Sequence, residues 1–359
     1  MAIILNGTTG VTTATVACTG TDAMTLPVGT TAQEPAGTVG MIRYNSTLGY
    51  PEWYNSNVAG WQPFGTLGVQ KAIFGFGSNG SNLSMTNLVS SSGVVSADTT
   101  GVGTARVGAA AAGYGGDKAI FGYGYNGASL SLTNLVSNIG VMATDTTGVG
   151  TARNFLAASS YGNDKAVFAY GDTTGGGANV SLSNKVANTG VVATDTTGVG
   201  TARQALAATG YGNDKGIFGY GDASGITAIS NLVSNAGVVA TDTAGVGTAR
   251  NMIAAAGYGN DKAIFGYGLN SGASYVSVTN LVSNTGVIAA DTTGVGTARA
   301  NLAAAGYGGN KAIFGYGHTV PLSYLSMTNL VSSIGVVSAD TTGVGTARRY
   351  LSAASYSLS

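Results

Sequence analysis

The chain has 359 residues, enough for two domains or one large repeat array, and is 44% hydrophobic but only 8% charged. Its formal net charge is zero, so nothing in its charge favours a nucleic-acid backbone or an anionic membrane as a partner. Disorder is excluded as well, because disordered chains combine low hydrophobicity with high net charge.

The first residues, "MAIILNGTTG", lack the basic region of a secretory signal, and their apolar stretch is short. No apolar run reaches the roughly 20 residues of a membrane span, so we expect no membrane insertion. Cys18 is the single cysteine, which rules out an internal disulfide and leaves no thiolate cluster for a metal. We therefore expect the chain to fold in a reducing cytoplasm.

Residues 1–66 differ in composition from the rest. They contain both tryptophans, and four of the five prolines. Within them, residues 26–64 combine a Pro-x-Gly-Thr turn, the strand "GMIRYN" and an aromatic hairpin that ends in Gly-Trp. The residues that carry this pattern are Pro27, Gly29, Thr30, Gly40, Met41, Ile42, Arg43, Tyr44, Asn45, Trp53, Tyr54, Gly60 and Trp61.

This segment resembles one that is common in tailed-bacteriophage fibre proteins, where it forms a small β unit near the virion-proximal end. The sequence departs from that family at Glu34, where arginine usually precedes the proline. The resemblance implies that residues 1–66 are an attachment and oligomerisation unit that contacts other virion proteins. It also implies a homotrimer, since such components often assemble in threes.

Residues 67–359 consist of six sequence repeats. The phrase "KAIFGYG" or a close variant begins at lysines 71, 118, 165, 215, 262 and 311, which are 47 to 50 residues apart. A second phrase, "TTGVGTAR" or "TAGVGTAR", follows in every repeat and ends in an arginine. A fixed period of this length indicates a propeller, a solenoid or another repeat array.

Each repeat predicts four short strands. An alanine-rich segment such as "NMIAAAGYG" is followed by a Gly-Asn or Gly-Asp turn, and "KAIFGYG" then has the β-branched and aromatic residues of a second strand. After a variable loop, "SLTNLVSNIG" alternates like a third strand, and "GVMATDTTGVG" supplies a fourth. No segment has the helical spacing of apolar residues. The chain is therefore predicted to be all-β.

Four strands in each of six repeats predict a six-bladed β-propeller, one blade per repeat. The first repeat lacks the alanine-rich strand before "KAIFGFG", and "RRYLSAASYSLS" at residues 348–359 matches that missing strand. A C-terminal strand that completes the first blade would close the ring and remove its open edges. The rival is a solenoid or β-helix, which needs caps instead of a displaced strand.

The arginine-led first strand and the aromatic-glycine second strand make each repeat resemble a kelch repeat, across residues 67–359. The sequence departs from that family in two places, since "GYG" replaces its glycine doublet and the tryptophan of its last strand is absent. The resemblance implies a propeller of the kelch type.

Each repeat also carries an aspartate eight residues before its final arginine. We interpret these charges as structural ion pairs or hydrogen bonds to carbonyls, within or between blades. One carboxylate per repeat is too few for a calcium cage. The residues concerned are Asp98, Arg106, Asp145, Arg153, Asp195, Arg203, Asp242, Arg250, Asp291, Arg299, Asp340 and Arg348.

An enzyme has little support in this sequence, although some propellers are sialidases or copper oxidases. His318 is the only histidine, so neither a metal site nor a catalytic Ser-His or Cys-His pair is supported, and we expect it to be an exposed loop residue. Asp172 and Asp222 follow "YG" in adjacent repeats and are the one candidate carboxylate pair of a glycosidase. We predict no catalytic residues, no metal and no cofactor.

Variation concentrates between the second and third strands, at residues 78–84, 125–131, 172–181, 222–230, 269–277 and 318–326. We call these segments loops 1 to 6. Equivalent loops of regular blades emerge on one face, where a rigid scaffold commonly displays binding residues. The candidate ligand-binding residues are Asn79, Asn82, Tyr125, Asn126, Asp172, Asp222, Asn270, Tyr275, His318 and Tyr324.

Their amide, hydroxyl and aromatic groups favour a polar partner such as a surface polysaccharide. Together with the fibre-like segment, they predict a phage virion protein, a tail or side fibre that recognises a host surface glycan or protein. The alternative is a virion component without adhesive function, such as a decoration, collar or baseplate-peripheral protein. Either would lie on the virion exterior.

Overall fold

The computed structural model describes residues 26–33, 35–36, 41–47, 50–55, 60–63 and 70–356. In these ranges the chain consists of β-strands and turns, with one short 3₁₀ turn at Thr31–Gln33 and no α-helix, so the all-β prediction is confirmed. None of the described residues form a helix long and apolar enough to cross a membrane. The predictions for Cys18, Glu34 and Gly40 lie outside the described residues.

The chain divides into two compact units, Met1–Leu67 and Gly68–Ser359. The first contains a four-stranded sheet, in which Val28–Gly29 runs parallel to Ile42–Asn45, followed by Tyr50–Asn55 and Gly60–Pro63.

A buried ion pair lies on this sheet. Arg43 Nε is 3.1 Å from Glu52, and the Arg43 guanidinium lies 5.6 Å from the ring of Trp61. Trp61 also packs edge-on against Tyr54. The residues that resemble the fibre segment therefore include a packed group of Arg43, Tyr54 and Trp61, held around one buried charge pair.

The second unit contains six three-stranded antiparallel sheets, which we number 1 to 6 by the order of their second strands. The first strands are Ser352–Tyr356, Ala110–Tyr114, Ala157–Tyr161, Ala207–Tyr211, Ala254–Tyr258 and Ala303–Tyr307. The second strands are Lys71–Gly75, Lys118–Tyr125, Lys165–Ala169, Lys215–Gly219, Lys262–Gly266 and Lys311–Gly315. The third strands are Thr86–Val89, Ser129–Val136, Ser183–Val186, Ser230–Val233, Thr279–Val282 and Thr328–Val331. Short two-residue strands occur at Arg250–Asn251, Leu269–Asn270, His318–Thr319 and Ser323–Tyr324.

The predicted fourth strand is reduced to two isolated bridges. In sheet 1 these are Val89↔Val95 and Thr86↔Thr99, which are one residue out of register with each other. The buried side chain of Asn87 lies beside this shift and donates a hydrogen bond to Ser96 O at 3.0 Å. The Asn87 side chain thus binds a carbonyl that would bond to a backbone N–H in a regular ladder. The pairing of the fourth strand is interrupted at this point, as at a β-bulge.

In five of the six sheets the second strand also ends earlier than predicted, whereas in sheet 2 it continues to Tyr125 with a register shift between Gly122 and Gly124. In sheet 5 it stops at Gly266, because Tyr267 adopts a left-handed backbone conformation with φ 65°. The equivalent residues in the other sheets also have a left-handed backbone conformation; they are Phe76, Tyr123, Tyr170, Tyr220 and Tyr316. A bulky residue in this region carries strain, and here every one of these rings is fully buried.

Packing between sheets uses these aromatic rings. Tyr267 contacts Phe314 of sheet 6 with ring centroids 5.1 Å apart, and equivalent pairs join the other neighbours. A Cβ on Gly266 would lie 2.9 Å from the Phe314 ring, so the glycine of "IFGYG" lets the next sheet approach closely. Sheet 3 has Ala169 at this position.

The six first strands contact one another in cyclic order, and the strand Ser352–Tyr356 contacts both Ala303–Tyr307 and Ala110–Tyr114. Ser352–Tyr356 also pairs in register with Lys71–Gly75, which joins the two ends of the unit in one sheet. Six residues, one from each repeat, form a closed cycle of backbone hydrogen bonds. Each donates its N–H to the carbonyl of the member before it in the chain, and the first, Gly108, donates to the last, Tyr350. This six-residue cycle consists of Gly108, Phe155, Ala205, Met252, Asn301 and Tyr350.

Candidate functional site

The repeated arginines lie between neighbouring sheets. Arg348 is fully buried, with its guanidinium 4.3 Å from the centroid of the Tyr316 ring in sheet 6. Its Nη2 donates to Asn87 Oδ1 of sheet 1 at 2.8 Å, and its Nε donates to Phe76 O. All six repeated arginines are fully buried over the equivalent ring and donate to the equivalent asparagine.

The aspartate partner of each arginine comes from the next sheet. Arg348 Nη1 lies 4.0 Å from Asp98, and Arg106 lies 3.8 Å from Asp145. Arg153 and Arg299 lie 3.6 Å and 3.9 Å from Asp195 and Asp340. For Arg203 and Arg250 the partners are Asp242 and Asp291, which act on them electrostatically.

Hydrogen bonds keep these aspartates ionised. Burial alone would raise the pKa of Asp98, but hydrogen bonds from Thr346 and Asn87 and the charge of Arg348 hold that pKa below its ordinary value. Burial lowers the pKa of Arg106 to about 10, and the charge of Asp145 opposes this effect. Arginine therefore stays charged at neutral pH, and the network is a set of charged links between sheets.

The second glycine of "GVGTAR" is required by this network. Gly247 has φ 75°, and a Cβ there would overlap Asp291 Oδ1 and lie 2.6 Å from Asn280 Nδ2. The missing side chain lets the next residue, Thr248, donate its amide and hydroxyl to Asp291. Replacing Gly247 would therefore displace the aspartate as well as strain the backbone.

We expect Gly247→Ala to lower the free energy of unfolding by about 2–3 kcal/mol, from strain and overpacking together. Urea denaturation followed by circular dichroism measures this change. Gly225→Ala is the matched control, because a Cβ on Gly225 would meet no atom within 4 Å. Equal stability of the two variants would contradict this account of the repeated glycine.

Successive loops are joined by side-chain contacts. Asn82 of loop 1 donates to Tyr125 O of loop 2 at 3.4 Å, and Asn179 of loop 3 donates to Asp222 O of loop 4 at 3.0 Å. A Cβ on Gly175 of loop 3 would lie 3.1 Å from the Tyr125 ring, so loops 2 and 3 approach closely there.

The remaining loops are linked in the same way. Asn251, which pairs with loop 5, donates to Asp222 Oδ2 at 3.2 Å. Tyr275 of loop 5 contacts His318 of loop 6. Arg349 pairs through its backbone with Ser78 of loop 1 and contacts His318. The six loops thus form one continuous surface, which we call the loop face.

The predicted ligand-binding residues differ in exposure on this face. Asn79, Asn82 and Asn126 are exposed, whereas Tyr125, Asp222, Asn270, Tyr275 and Tyr324 are partly buried. Asp172 and His318 are buried, at 1% and 4% exposure. The structure therefore leaves eight of the ten side chains at least partly accessible to a ligand.

Asp172 and Asp222 engage separate partners. Asp172 accepts hydrogen bonds from the amides of Thr174 and Gly177, both at 2.9 Å, and so orders its own loop. Burial would raise the pKa of Asp172, but these hydrogen bonds hold that pKa below its ordinary value. A glycosidase acid needs a raised pKa, so the geometry of Asp172 does not suit that role.

His318 lies inside a polar cluster instead of projecting from its loop. Its Nδ1 is 3.2 Å from Ala300 O, so this nitrogen carries the proton and donates to the carbonyl. Its Nε2 accepts from Tyr275 Oη at 2.8 Å and from Arg349 Nη1 at 3.3 Å. The expectation of an exposed histidine is wrong, because the adjacent loop and the residue after Arg348 cover the ring.

Acid should destabilise the fold through His318. Burial, joined by the charge of Arg349, lowers the pKa of His318 below its ordinary 6.5, and the bond to Ala300 opposes this only in part. The unfolded chain therefore binds a proton first, and stability falls as pH drops below about 6.5. We expect the melting temperature of the protein to fall between pH 7.5 and pH 5.5.

The His318→Gln variant should lose most of this pH dependence, because glutamine does not titrate. The shifted aspartates titrate below 3.8 and the shifted tyrosines above 10.0, so neither group contributes in this window. Thermal melts of both proteins at the two pH values provide the measurement. The same pH dependence in both would show that another group is responsible.

Two concave regions lie within the second unit. A shallow depression of about 70 Å³ is lined by the six-residue cycle and its neighbours, including Phe155, Met252 and Tyr350. A larger pocket of about 380 Å³ is lined mainly by alanine, glycine, serine and threonine of the first strands. Among the described residues no three His, Cys, Asp or Glu side chains come together as a metal site requires.

Sequence reasoning missed Arg349, Tyr350 and Phe155. The usable signal was that only three basic residues, Arg43, Lys185 and Arg349, lie outside the repeated framework.

No model of a known protein family matches this sequence, and no curated protein matches it.

Proposed function

We propose that residues 67–359 form a six-bladed, kelch-like β-propeller closed by the C-terminal strand, and that the chain is a bacteriophage tail or side fibre protein that recognises the host cell surface. Two observations support the propeller. The six sheets share one strand order and one pattern of bridges, and their first strands contact in a closed cycle. A propeller accounts for both, since each blade packs on its neighbours and the last meets the first.

The observation that carries the recognition role is the contrast between framework and loops. Each sheet keeps the same buried arginine, asparagine and aromatic ring, whereas the six loops differ in length and sequence. All six loops meet in one surface through the contacts described above. Rigid scaffolds that display variable loops are typical of binding proteins, and exposed amides beside tyrosine rings suit a polysaccharide.

Attachment through residues 1–66 is the second part of the proposal. It is supported by the resemblance to phage fibre proteins and by the packing of Arg43, Tyr54 and Trp61 in one sheet. A trimer would present three loop faces to one cell, and linked weak sites gain avidity from effective concentration. The protein would then lie on the virion exterior, after folding in the host cytoplasm.

A virion component without adhesive function is the alternative. It is favoured by the number of loop side chains that bind their own chain, since Asp172, Asn179 and His318 each have partners in or next to the loops. Such contacts would stabilise the loop face of a protein that binds nothing there.

Binding of the purified full chain to a panel of bacterial strains tests the proposal. We expect saturable binding to some strains only, and competition by the surface polysaccharide extracted from those strains. A folded chain that binds no strain would favour the alternative.

A loop variant identifies the surface responsible. Combined replacement of Asn79, Asn126 and Tyr324 by alanine should weaken cell binding about tenfold or more, because several hydrogen bonds to a polar ligand would be lost. Lys262→Ala is the control, since Lys262 is an exposed residue of the framework, outside the loops. If both variants bind like the wild type, the ligand does not use these loop residues.

A further inference from the structure

One part of the loop face has a cation for which the described part of the chain supplies no counter-ion. Arg349 directly follows the framework arginine of the last repeat, and the residues at the same position elsewhere are uncharged: Val107, Asn154, Gln204, Asn251 and Ala300. Each of these residues pairs with the first residues of a loop, and Arg349 pairs with Ser78. The charge of Arg349 is therefore a departure from the repeat, placed at the edge of a loop.

The guanidinium of Arg349 has unused hydrogen-bond donors. Within residues 70–356 its side chain makes one hydrogen bond, from Nη1 to His318 Nε2, and its Nε is buried without a partner. No described carboxylate lies within 4.0 Å of it. An arginine has five N–H donors in a planar fork, so the two Nη atoms of Arg349 keep donors that no described residue accepts.

Aromatic rings flank the same guanidinium. Its carbon lies 4.7 Å from the centroid of the Tyr350 ring and 5.5 Å from that of Tyr324. Tyr350 is only partly buried and packs edge-on against Phe155 at 5.4 Å. The group of Arg349, Tyr324, Tyr350, Tyr275 and His318 is called the Arg349 cluster below.

The cluster is held in position before any ligand arrives. His318 is fixed by its bond to Ala300 O, and it accepts hydrogen bonds from both Tyr275 and Arg349. Tyr350 belongs to the six-residue cycle, where its backbone is left-handed with φ 58°. A bulky residue is strained in this conformation, whereas Gly108 has the same place in another repeat without strain. Preorganised donors and rings lower the entropy cost of binding.

An anionic sugar matches this chemistry. A guanidinium fork binds the two oxygens of a carboxylate or phosphate, and tyrosine rings contact the apolar face of a sugar ring while leaving a polar edge. The aspartates of the loop face, Asp172 and Asp222, hydrogen-bond to residues of loop 3 and to Asn251, respectively.

We propose that Arg349, with Tyr324 and Tyr350 beside it, forms a subsite for the carboxylate or phosphate of an anionic saccharide. This inference rests on the proposed host-recognition function and names the class of glycan that the loop face takes. Arg349 binds the anion, the two rings contact the sugar, and His318 and Tyr275 position the guanidinium.

Titration of the full chain with three defined probes tests the subsite. The probes are trigalacturonic acid for a sugar carboxylate, glucose 6-phosphate for a sugar phosphate, and maltotriose as the neutral saccharide. Isothermal calorimetry at low salt should show binding of at least one anionic probe and none of maltotriose. Binding of the uronate alone assigns a carboxylate, and binding of the phosphate alone assigns a phosphate. Equal binding of maltotriose, or no binding of either anion, would overturn the proposal.

Variants assign the binding to Arg349. Arg349→Gln should weaken binding of the anionic probe about tenfold or more, as expected for loss of charged hydrogen bonds. Arg349→Lys should retain part of it, since it keeps the charge without the fork. Tyr350→Asn removes the ring but tolerates the left-handed backbone, as Asn301 does in its own repeat. Lys262→Gln is the matched control for loss of one exposed charge. Unchanged binding in Arg349→Gln would overturn the proposal.

Cell binding, measured in parallel, distinguishes failure of the Arg349 subsite from failure of the proposed host recognition. If the wild type and Arg349→Gln bind the same strains equally well, the subsite is wrong and host recognition stands. If the wild type binds an anionic probe through Arg349 but binds no strain, the subsite stands and host recognition loses its support. Binding to neither cells nor probes contradicts both.

Discussion

A chain that ends at residue 350 is expected to lose the cooperative fold of the whole second unit. Residues 352–356 pair in register with Lys71–Gly75, and Leu351, Ala354 and Tyr356 are buried against neighbouring sheets. Loss of Leu351 and the five strand residues removes several hydrogen bonds and two large buried side chains, those of Leu351 and Tyr356. At about 1 kcal/mol and 2–3 kcal/mol each, the loss is roughly 10 kcal/mol, comparable with the total stability of a domain.

The measurement compares this truncated chain with one that ends at residue 356, which keeps the strand. Circular dichroism melts should show a cooperative transition only in the longer chain. A synthetic peptide of residues 351–359, added to the truncated chain, should restore part of that transition, because the missing strand pairs without a covalent link. A truncated chain that melts like the longer one would contradict the role of this strand in closing the unit.

Removal of the guanidinium that joins the two ends of the second unit is expected to destabilise the fold. The loss of free energy of unfolding should be almost as large as for replacing a large core side chain by alanine. Arg348→Ala would leave Asn87 Oδ1, Phe76 O and the carboxylate of Asp98 without their buried cationic partner. Loss of one partner of a buried charged network typically costs about 3–5 kcal/mol. We expect a decrease of this size in the free energy of unfolding, measured by urea denaturation.

Arg203→Ala is the informative comparison, because Arg203 links two sheets that are adjacent along the chain. Its Nη2 donates to Asn231 and its Nε to Tyr220 O, as in the terminal link. If the end-to-end link is equivalent to the internal ones, both variants lose similar stability. An Arg348→Ala variant as stable as the exposed-surface control Lys262→Ala would show that the ends are not joined in this way.

The local structure could be predicted because it depends on neighbours along the chain. Alternation of apolar residues marks the second and third strands, and the Gly-Asn and Gly-Asp turns mark the hairpins between first and second strands. Gly247 shows the same for tight backbone positions, since a repeated glycine indicates a site that needs φ above zero. The missing strand of the first repeat could also be matched to residues 348–359 from sequence alone.

Partners between sheets could not be predicted in the same way. Asp340 lies eight residues before Arg348 in the sequence, yet Arg348 binds Asp98, and Asp340 binds Arg299. The chain turns between the two residues, so that the arginine leaves its own sheet and enters the next. Proximity along the chain therefore gives the wrong pair, and only the packing of sheets decides the right one.

The sequence by itself determined an all-β chain, six repeats with their strands and turns, and the displaced strand at the C-terminal end, because these depend on local periodicity and on backbone angles. The tertiary structure decided which charges meet, that His318 is buried, and that Arg349 lies beside two tyrosine rings. Each of these depends on contacts between residues far apart in sequence. The residue pattern of a single chain does not show how far apart such residues lie in space.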